Sequence, residues 1–299
     1  MPAEAVITRP GIDFTRPFFP LHLTTLAQIP SWERLAGRHR LRYSQLHALY
    51  LNEQTVFFEE LLASTVLPAL YERPDRIGED LAADLRQFEI EEKRHSGWFR
   101  ELNRRVDPQR YSLEKGSHVF VPVNARMQAV ASWFARRPFA FPLWIWLMLI
   151  QEERSIAVAR ECLKKDAGIE PAFRELHRRH LADEIDHVQW DLKLVERVWL
   201  PLPMWQRRLQ ARMFGAMMGE FFTAPKRSAK LVLQALLDEF PELQPLGPQL
   251  HGELRELAKS RDYHASHYSR ESTPRCFALF DELPEFRDIG HHLLAYERP

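Results

Sequence analysis

The chain has 299 residues, 45% of them hydrophobic, and carries 41 basic against 41 acidic side chains. A sequence of this length and composition buries a sizeable core, as one large helical domain or as two units, which excludes a disordered chain. The zero charge balance excludes a field of one sign that would advertise nucleic acid or an anionic membrane as partner, and basic runs such as RELHRR read as solvated faces. Residues 1–30 hold five prolines and no sustained period, which predicts an extended arm lying over the body, and they lack the basic and apolar regions of a secretory signal. Four long helical periods follow, at 43–71, 76–105, 142–166 and 170–199, with brief strand-like alternation at 117–123. The apolar run 139–150 has 12 residues and an internal proline. A membrane span needs ~20, so the run reads as a buried core helix containing Trp144, Trp146 and Met148. WLPLP at 199–203 breaks the pattern before shorter helices near 203–222, 225–239 and 246–268. Cys162 and Cys276 lie far apart with no CxxC spacing, which fits a reducing cytoplasm and argues against a disulfide framework or a thiolate metal site.

Acids and histidines fall on the apolar faces of the long helices. Residues three, four and seven apart share a helix face, so His180, Glu184 and His187 project together, in phase with Phe173, Leu194 and Val198. Glu92 and His95 align in the same way with Leu81, Leu85, Phe88 and Phe99. Glu59 shares its face with Leu49, Asn52, Val56, Ala63 and Val66, while Glu60 points about 100° away. In LIQEERSIAVA the choice is between Glu152 and Glu153, and the phase of Ile145, Leu149, Ile156, Ala159 and Leu163 favours Glu152. A charged glutamate on a buried face costs several kcal/mol unless it is paired or metal-bound. Two ExxH faces, each preceded by an in-phase glutamate, therefore ask for a common counter-charge. One glutamate from each of two helices plus a Glu-x-x-His pair from each of two others is the ligand arrangement of di-iron and di-manganese carboxylate bundles. This predicts an all-α fold, a ferritin-like four-helix bundle core with additional C-terminal helices. It is expected to form a single domain over 1–299, with an arm at 1–40, the metal-binding bundle at 41–200 and a helical layer at 201–299.

His180, one turn before Glu184, exceeds that generic pattern. With HxxxExxH at 180–187, Glu92 and His95 in EEKRH, Glu59 after NE at 52–53, and the acid–Glu step at 183–184, residues 45–200 resemble the di-iron N-oxygenases, the family of p-aminobenzoate N-oxygenase and the chloramphenicol-pathway arylamine oxygenase. The resemblance implies seven ligands: Glu59, Glu92, His95, Glu153, His180, Glu184 and His187. Glu153 enters by gapless counting from KDAGIEP at 165–171, against the helical phase, and a π-bulge would reconcile the two. The resemblance also implies two iron ions, with manganese or a mixed centre as alternatives, and O2 as co-substrate. The di-iron cluster is then itself the catalyst and His180 tunes its reactivity. A primary amine would be oxidised to hydroxylamine, nitroso or nitro product in secondary metabolism, the substrate being a small molecule or an amine tethered to a carrier.

The chain has no GxGxxG after a strand, so electrons are expected from an external donor or reductase. No nucleic-acid or membrane partner is expected, and a homodimer is open. The competing readings are a di-iron oxygenase that hydroxylates or desaturates carbon, and a non-enzymatic ferritin-like metal binder. Asp183 and Asp186 are expected to pair outward with Arg178 or Arg179, Asp191 is a candidate hydrogen-bond partner for a ligand histidine, and His264, His267, His291 and His292 read as surface histidines.

Overall fold

The computed structural model describes residues 11–112, 116–122, 125–223 and 226–299. Its helices in chain order are α1 (Gly37–Leu61), α2 (Leu67–Tyr71), α3 (Pro74–Ile77), α4 (Glu79–Val106), α5 (Ala125–Ala135), α6 (Leu143–Leu163), α7 (Pro171–Leu194), α8 (Met204–Met217), α9 (Lys226–Glu239), α10 (Gly247–Glu256), α11 (Arg261–Ala265) and α12 (Pro274–Glu282). No strand occurs among the described residues, and none of the described helices is long and apolar enough to cross a membrane.

The long helices begin where the chain chemistry permits. At the N-terminus of α4, Gly78 takes φ +88°, a conformation strained for any side chain. Glu79 and Asp80 then face the positive end of the helix dipole, while Arg104 and Arg105 face its negative end. Helix α7 starts with Pro171, and the Glu170 carboxylate accepts from the Ala172 and Phe173 N–H groups at 2.8 and 3.1 Å.

Helices α1 and α4 pack as one pair and α6 and α7 as another, with α4 against α7 joining them. Buried side chains divide into two apolar cores. One takes Leu62 and Val66 beyond α1, Leu81 to Phe88 of α4, Ile145 to Ile156 of α6 and Val188 to Leu194 of α7. The other takes Tyr43 to Val56 of α1, Phe99 to Val106 of α4, Cys162 of α6 and Phe173 to Leu176 of α7. Since α1 and α7 run from the second core to the first, and α4 and α6 run the opposite way, both pairs are antiparallel. This all-α arrangement is the ferritin-like bundle. Helices α8 to α12 pack around it: α9 lies on α1, and both α8 and α12 lie on α6.

Several expectations are revised. Residues 1–10 of the expected arm lie outside the described residues. The rest is not extended but coiled into three 3-10 turns, Leu21–Leu23, Thr25–Gln28 and Pro30–Arg34. Phe18 stacks on Phe173 at 4.4 Å, which draws this segment into the core. The alternating stretch 117–123 forms no strand in its described part: the N–H groups of Val119, Phe120 and Val121 donate to the Glu53 carboxylate instead of to a neighbouring strand. Position 123 lies outside the described residues, as does residue 225 of the expected helix 225–239. The single helix expected at 246–268 is broken, because Leu257–Lys259 tightens to a 3-10 turn and the Ser260 hydroxyl caps a new helix at the Tyr263 N–H. His264 is buried with its Nε2 against the Ala258 carbonyl at 3.1 Å, and His267 is part-buried against the Tyr263 carbonyl at 3.2 Å. These two are packing residues, not surface histidines. Trp144, Trp146 and Met148 are buried in the first core.

Candidate metal centre

Between the two apolar cores lies a polar layer built by the four long helices. Glu59 comes from α1, Glu92 and His95 from α4, Glu152 from α6, and His180, Glu184 and His187 from α7, and every one of these side chains is buried. Three groups of ligand atoms each lie within 4.8 Å of one another: Glu59, His95 and His180; Glu92, His95 and Glu184; Glu92, Glu152 and His187. Glu92 belongs to both the His95 and the His187 groups, so one carboxylate reaches both halves of the layer.

Six of the seven residues expected from the sequence meet here. Glu153 does not, and this corrects the expected set. Helix α6 is regular from Leu143 to Leu163, and the π-helical turns among the described residues fall at Leu62–Val66, Val195–Trp199 and Met218–Phe222. With no bulge to shift the phase, Glu152 turns inward. Glu153 turns about 100° aside, where its two oxygens accept the Arg275 and Cys276 N–H groups at the start of α12, at 2.8 and 2.9 Å. Helical periodicity alone points to the residue found inside.

The three histidines are oriented from outside. His95 presents Nδ1 to Glu92 (3.3 Å) and Glu184 (3.6 Å), while its Nε2 meets Asp183 at 2.8 Å. His187 presents Nδ1 to Glu92, Glu152 and Glu184 at 3.6, 3.8 and 3.7 Å, with Glu91 at 3.0 Å from Nε2. The holding is crosswise: Glu91 of α4 orients a histidine of α7, and Asp183 of α7 orients one of α4. Asp183 also pairs with Arg94, whereas Arg178 and Arg179 pair with Glu175, so the expected outward partners of Asp183 are overturned. His180 is turned the other way round, with Nε2 3.1 Å from Glu59 and 2.8 Å from Glu184, and Nδ1 3.2 Å from the Ser155 hydroxyl. Ser96 donates to Glu59 at 3.0 Å. Rings close the layer, Phe88 stacked on His187 at 3.8 Å and Phe99 edge-on to His180 at 5.0 Å.

Glu91, Asp183, Ser155 and Ser96 were not singled out as orienting residues by the sequence. A trace of the first two is present, because the acid–Glu-x-x-His run occurs twice, at 91–95 and 183–187. The crossing between helices is a tertiary fact. Asp191 is fully buried with neither oxygen partnered among the described residues, so it does not orient a ligand histidine.

The donor set fits divalent cations. Glu92 Oε2, both Glu184 oxygens and His187 Nδ1 are buried without a hydrogen-bond partner, a costly state for groups shielded from water. Burial, reinforced by neighbouring carboxylates, pushes Glu92 and Glu184 well above the ordinary carboxylate range, and burial does the same to Glu59. Burial also pushes Glu152 up, but the Glu184 carboxyl and the His187 imidazole beside it outweigh that and leave Glu152 lowered. Burial holds His95 at about 3 and His180 at about 4. Burial pulls His187 down, but the Glu152 and Glu91 carboxylates beside its two ring nitrogens outweigh that, and it rises to about 10. Four carboxylates balance the charge of two divalent ions, and oxygen and imidazole donors without thiolate suit iron or manganese. The family model of P-aminobenzoate N-oxygenase AurF matches residues 9–241. No curated protein matches the chain.

Proposed function

The chain belongs to the p-aminobenzoate N-oxygenase AurF family, a di-iron family, and from that premise we propose that it is a non-haem di-iron monooxygenase that oxidises a primary amine in secondary metabolism. The carrying observation is the buried layer of four glutamates and three histidines in which Glu92 Oε2, both Glu184 oxygens and His187 Nδ1 have no hydrogen-bond partner. The first step balances as R–NH2 + O2 + 2 e− + 2 H+ → R–NHOH + H2O, with the electrons from an external donor, and repetition carries the nitrogen on to nitroso or nitro.

Glu59, Glu92, His95, Glu152, His180, Glu184 and His187 would hold the two ions. Bound there, the irons supply the redox chemistry that activates O2. The protein's own residues supply position and dryness. With metal bound, Asp183 and Glu91 would keep the ring proton of His95 and His187 on Nε2, leaving each Nδ1 lone pair turned inward. Phe88 and Phe99 exclude water from the imidazoles. His180 has a neutral hydroxyl outside it where the other two have carboxylates, so it is the less basic donor of the three.

The test gives the iron-loaded, chemically reduced protein O2 and a panel of aryl and amino-acid-derived amines and follows products by mass. One oxygen gained at nitrogen is expected. Oxygen only on carbon would replace this reading with a carbon hydroxylase, and iron uptake without oxidation of any amine would replace it with a ferritin-like binder. His180→Ala should keep iron through the other six side chains and lose amine oxidation. If turnover survives and only stability falls, His180 is a packing residue.

A further inference from the structure

The run that carries the ligands extends beyond its acids and histidines. Glu91-Glu92-x-x-His95 continues to Trp98, and Asp183-Glu184-x-x-His187 continues to Trp190, so an acid–Glu-x-x-His-x-x-Trp run occurs twice. Residues three apart share a helix face, and each tryptophan lies against the histidine before it, with ring centres 5.5 Å apart in both pairs. The two histidines are fully buried, whereas both indoles are part-exposed. Each tryptophan therefore joins the protein surface to an imidazole whose Nδ1 faces the carboxylates of the metal layer. His180 has Phe99 edge-on to it in that place, and Phe99 is buried.

The two indoles differ in their surroundings. Trp98 has two guanidiniums over its ring, Arg94 at 5.3 Å and Arg179 at 5.9 Å from the centre. Both arginines are exposed; Arg94 pairs with Asp183, whose other partner is the buried His95, and Arg179 shares Glu175 with the exposed Arg178. These three arginines thus stand against two carboxylates, one of which is turned inward. Trp190 packs instead on Phe88 at 5.7 Å and against the first apolar core. An aromatic ring rimmed by arginine is what a protein-docking surface is built from, and the cations favour an acidic partner. Electron transfer falls off steeply with the gap to be crossed, so a surface ring in contact with a ligand imidazole shortens the gap for a donor too bulky to enter the protein.

We propose that Trp98 is where electrons enter the metal layer, and that the surface around it docks an acidic one-electron carrier protein. Each event moves one electron from the reduced carrier to one ferric ion, which becomes ferrous while the carrier is oxidised. No bond forms or breaks at Trp98 and no proton leaves it. Two events supply the two electrons that the oxidation takes from outside. The inference rests on the reading of an externally reduced di-iron centre, and not on nitrogen as the atom oxidised.

The test follows reduction of the iron-loaded protein by the loss of its ferric absorbance, without amine or O2. The donors are a reduced acidic ferredoxin and, separately, dithionite, a small reductant that needs no docking surface. Trp98→Leu should slow reduction by ferredoxin about tenfold or more, with iron content unchanged and dithionite slowed far less. Trp98→Phe, which keeps a ring against His95, should keep part of the ferredoxin rate, and Trp190→Leu should keep nearly all of it. Arg179→Gln, a change to an exposed side chain, should slow ferredoxin and weaken the dependence of its rate on salt. A ferredoxin rate indifferent to Trp98→Leu and Arg179→Gln, equal slowing in Trp98→Leu and Trp190→Leu, or slowing of both donors alike would overturn the proposal. So would failure of ferredoxin to reduce the unaltered protein where dithionite succeeds, and loss of iron from both Trp98 variants would make Trp98 a packing residue. A Trp98-dependent ferredoxin rate without oxidation of any amine would remove the N-oxygenase reading alone. Amine oxidation by protein that ferredoxin reduces equally well without Trp98 would remove this inference alone.

Discussion

Two buried glutamates in this protein have opposite surroundings. Glu53 and Glu92 are 0% and 1% exposed. Glu53 accepts the Tyr111 hydroxyl at 2.7 Å on one oxygen and three successive backbone N–H groups at 2.8, 2.7 and 2.8 Å on the other. Burial raises its pKa, and those donors pull it back. Glu92 has one oxygen without any donor, and Glu184 beside it has two. Burial alone therefore does not mark a metal centre. The mark is a buried carboxylate whose oxygens the protein leaves unpaired, facing other carboxylates and imidazoles. Glu153 repeats the satisfied case one residue from Glu152, which belongs to the unsatisfied one.

The largest effect expected from this contrast is on metal content. Glu92→Ala or Glu184→Ala should lower it from about two ions per chain to less than half that, read by elemental analysis. Glu53→Gln should leave the metal in place and cost about 1–3 kcal/mol in urea unfolding, because it disturbs the donors gathered on one carboxylate. If Glu53→Gln loses metal while remaining folded, the distinction fails.

The same contrast narrows to neighbours on one helix. Glu152→Ala should lose iron, and Glu153→Ala should keep it while loosening the tie to α12. A smaller effect is expected one layer out: Glu91→Gln or Asp183→Asn should weaken metal binding about 10–100-fold, measurable by competition with a chelator. No change in either variant would mean that the crossed carboxylates do not orient the histidines.

The smallest effect is a slope with pH in the metal-free protein. Above pH 7, His95 and His180, held at about 3 and about 4, are neutral in both the folded and the unfolded chain and contribute nothing. His187, raised to about 10, keeps in the fold a proton that the unfolded chain has released, and the upward shifts of Glu59, Glu92 and Glu184 act in the same direction. The folded chain then binds more protons, so stability falls as pH rises. The Tm of the metal-free protein should decline from pH 7 to pH 9, and more shallowly once metal has displaced those protons. A steeper decline in the loaded form would contradict this.

The long helices were legible because each keeps one apolar face over many turns. Glu59, Glu92, His95, His180, Glu184 and His187 were legible because polar residues interrupt those faces in phase. Glu152 was equally legible by phase and was displaced by counting without a gap from the turn at 165–171, a count that has no term for helical rotation. Helices α5 and α12 escaped notice because they are short, and short helices owe their formation to packing more than to periodicity. The 117–123 stretch alternates as a strand does, yet its backbone donors are taken by Glu53, more than sixty residues away in the chain. Asp183 was assigned to arginines on its own helix, since no single-helix argument can see that Arg94 and His95 of α4 lie closer.

The central claim is that Glu59, Glu92, Glu152 and Glu184, and not Glu153, enclose two metal ions together with three histidines. Anomalous diffraction at the iron edge from iron-loaded crystals tests it directly. The account predicts two peaks in the layer between the apolar cores, with Glu92 reaching both, Glu152 on one of them and Glu153 on neither. A single four-coordinate site, or Glu153 turned inward in place of Glu152, would contradict it.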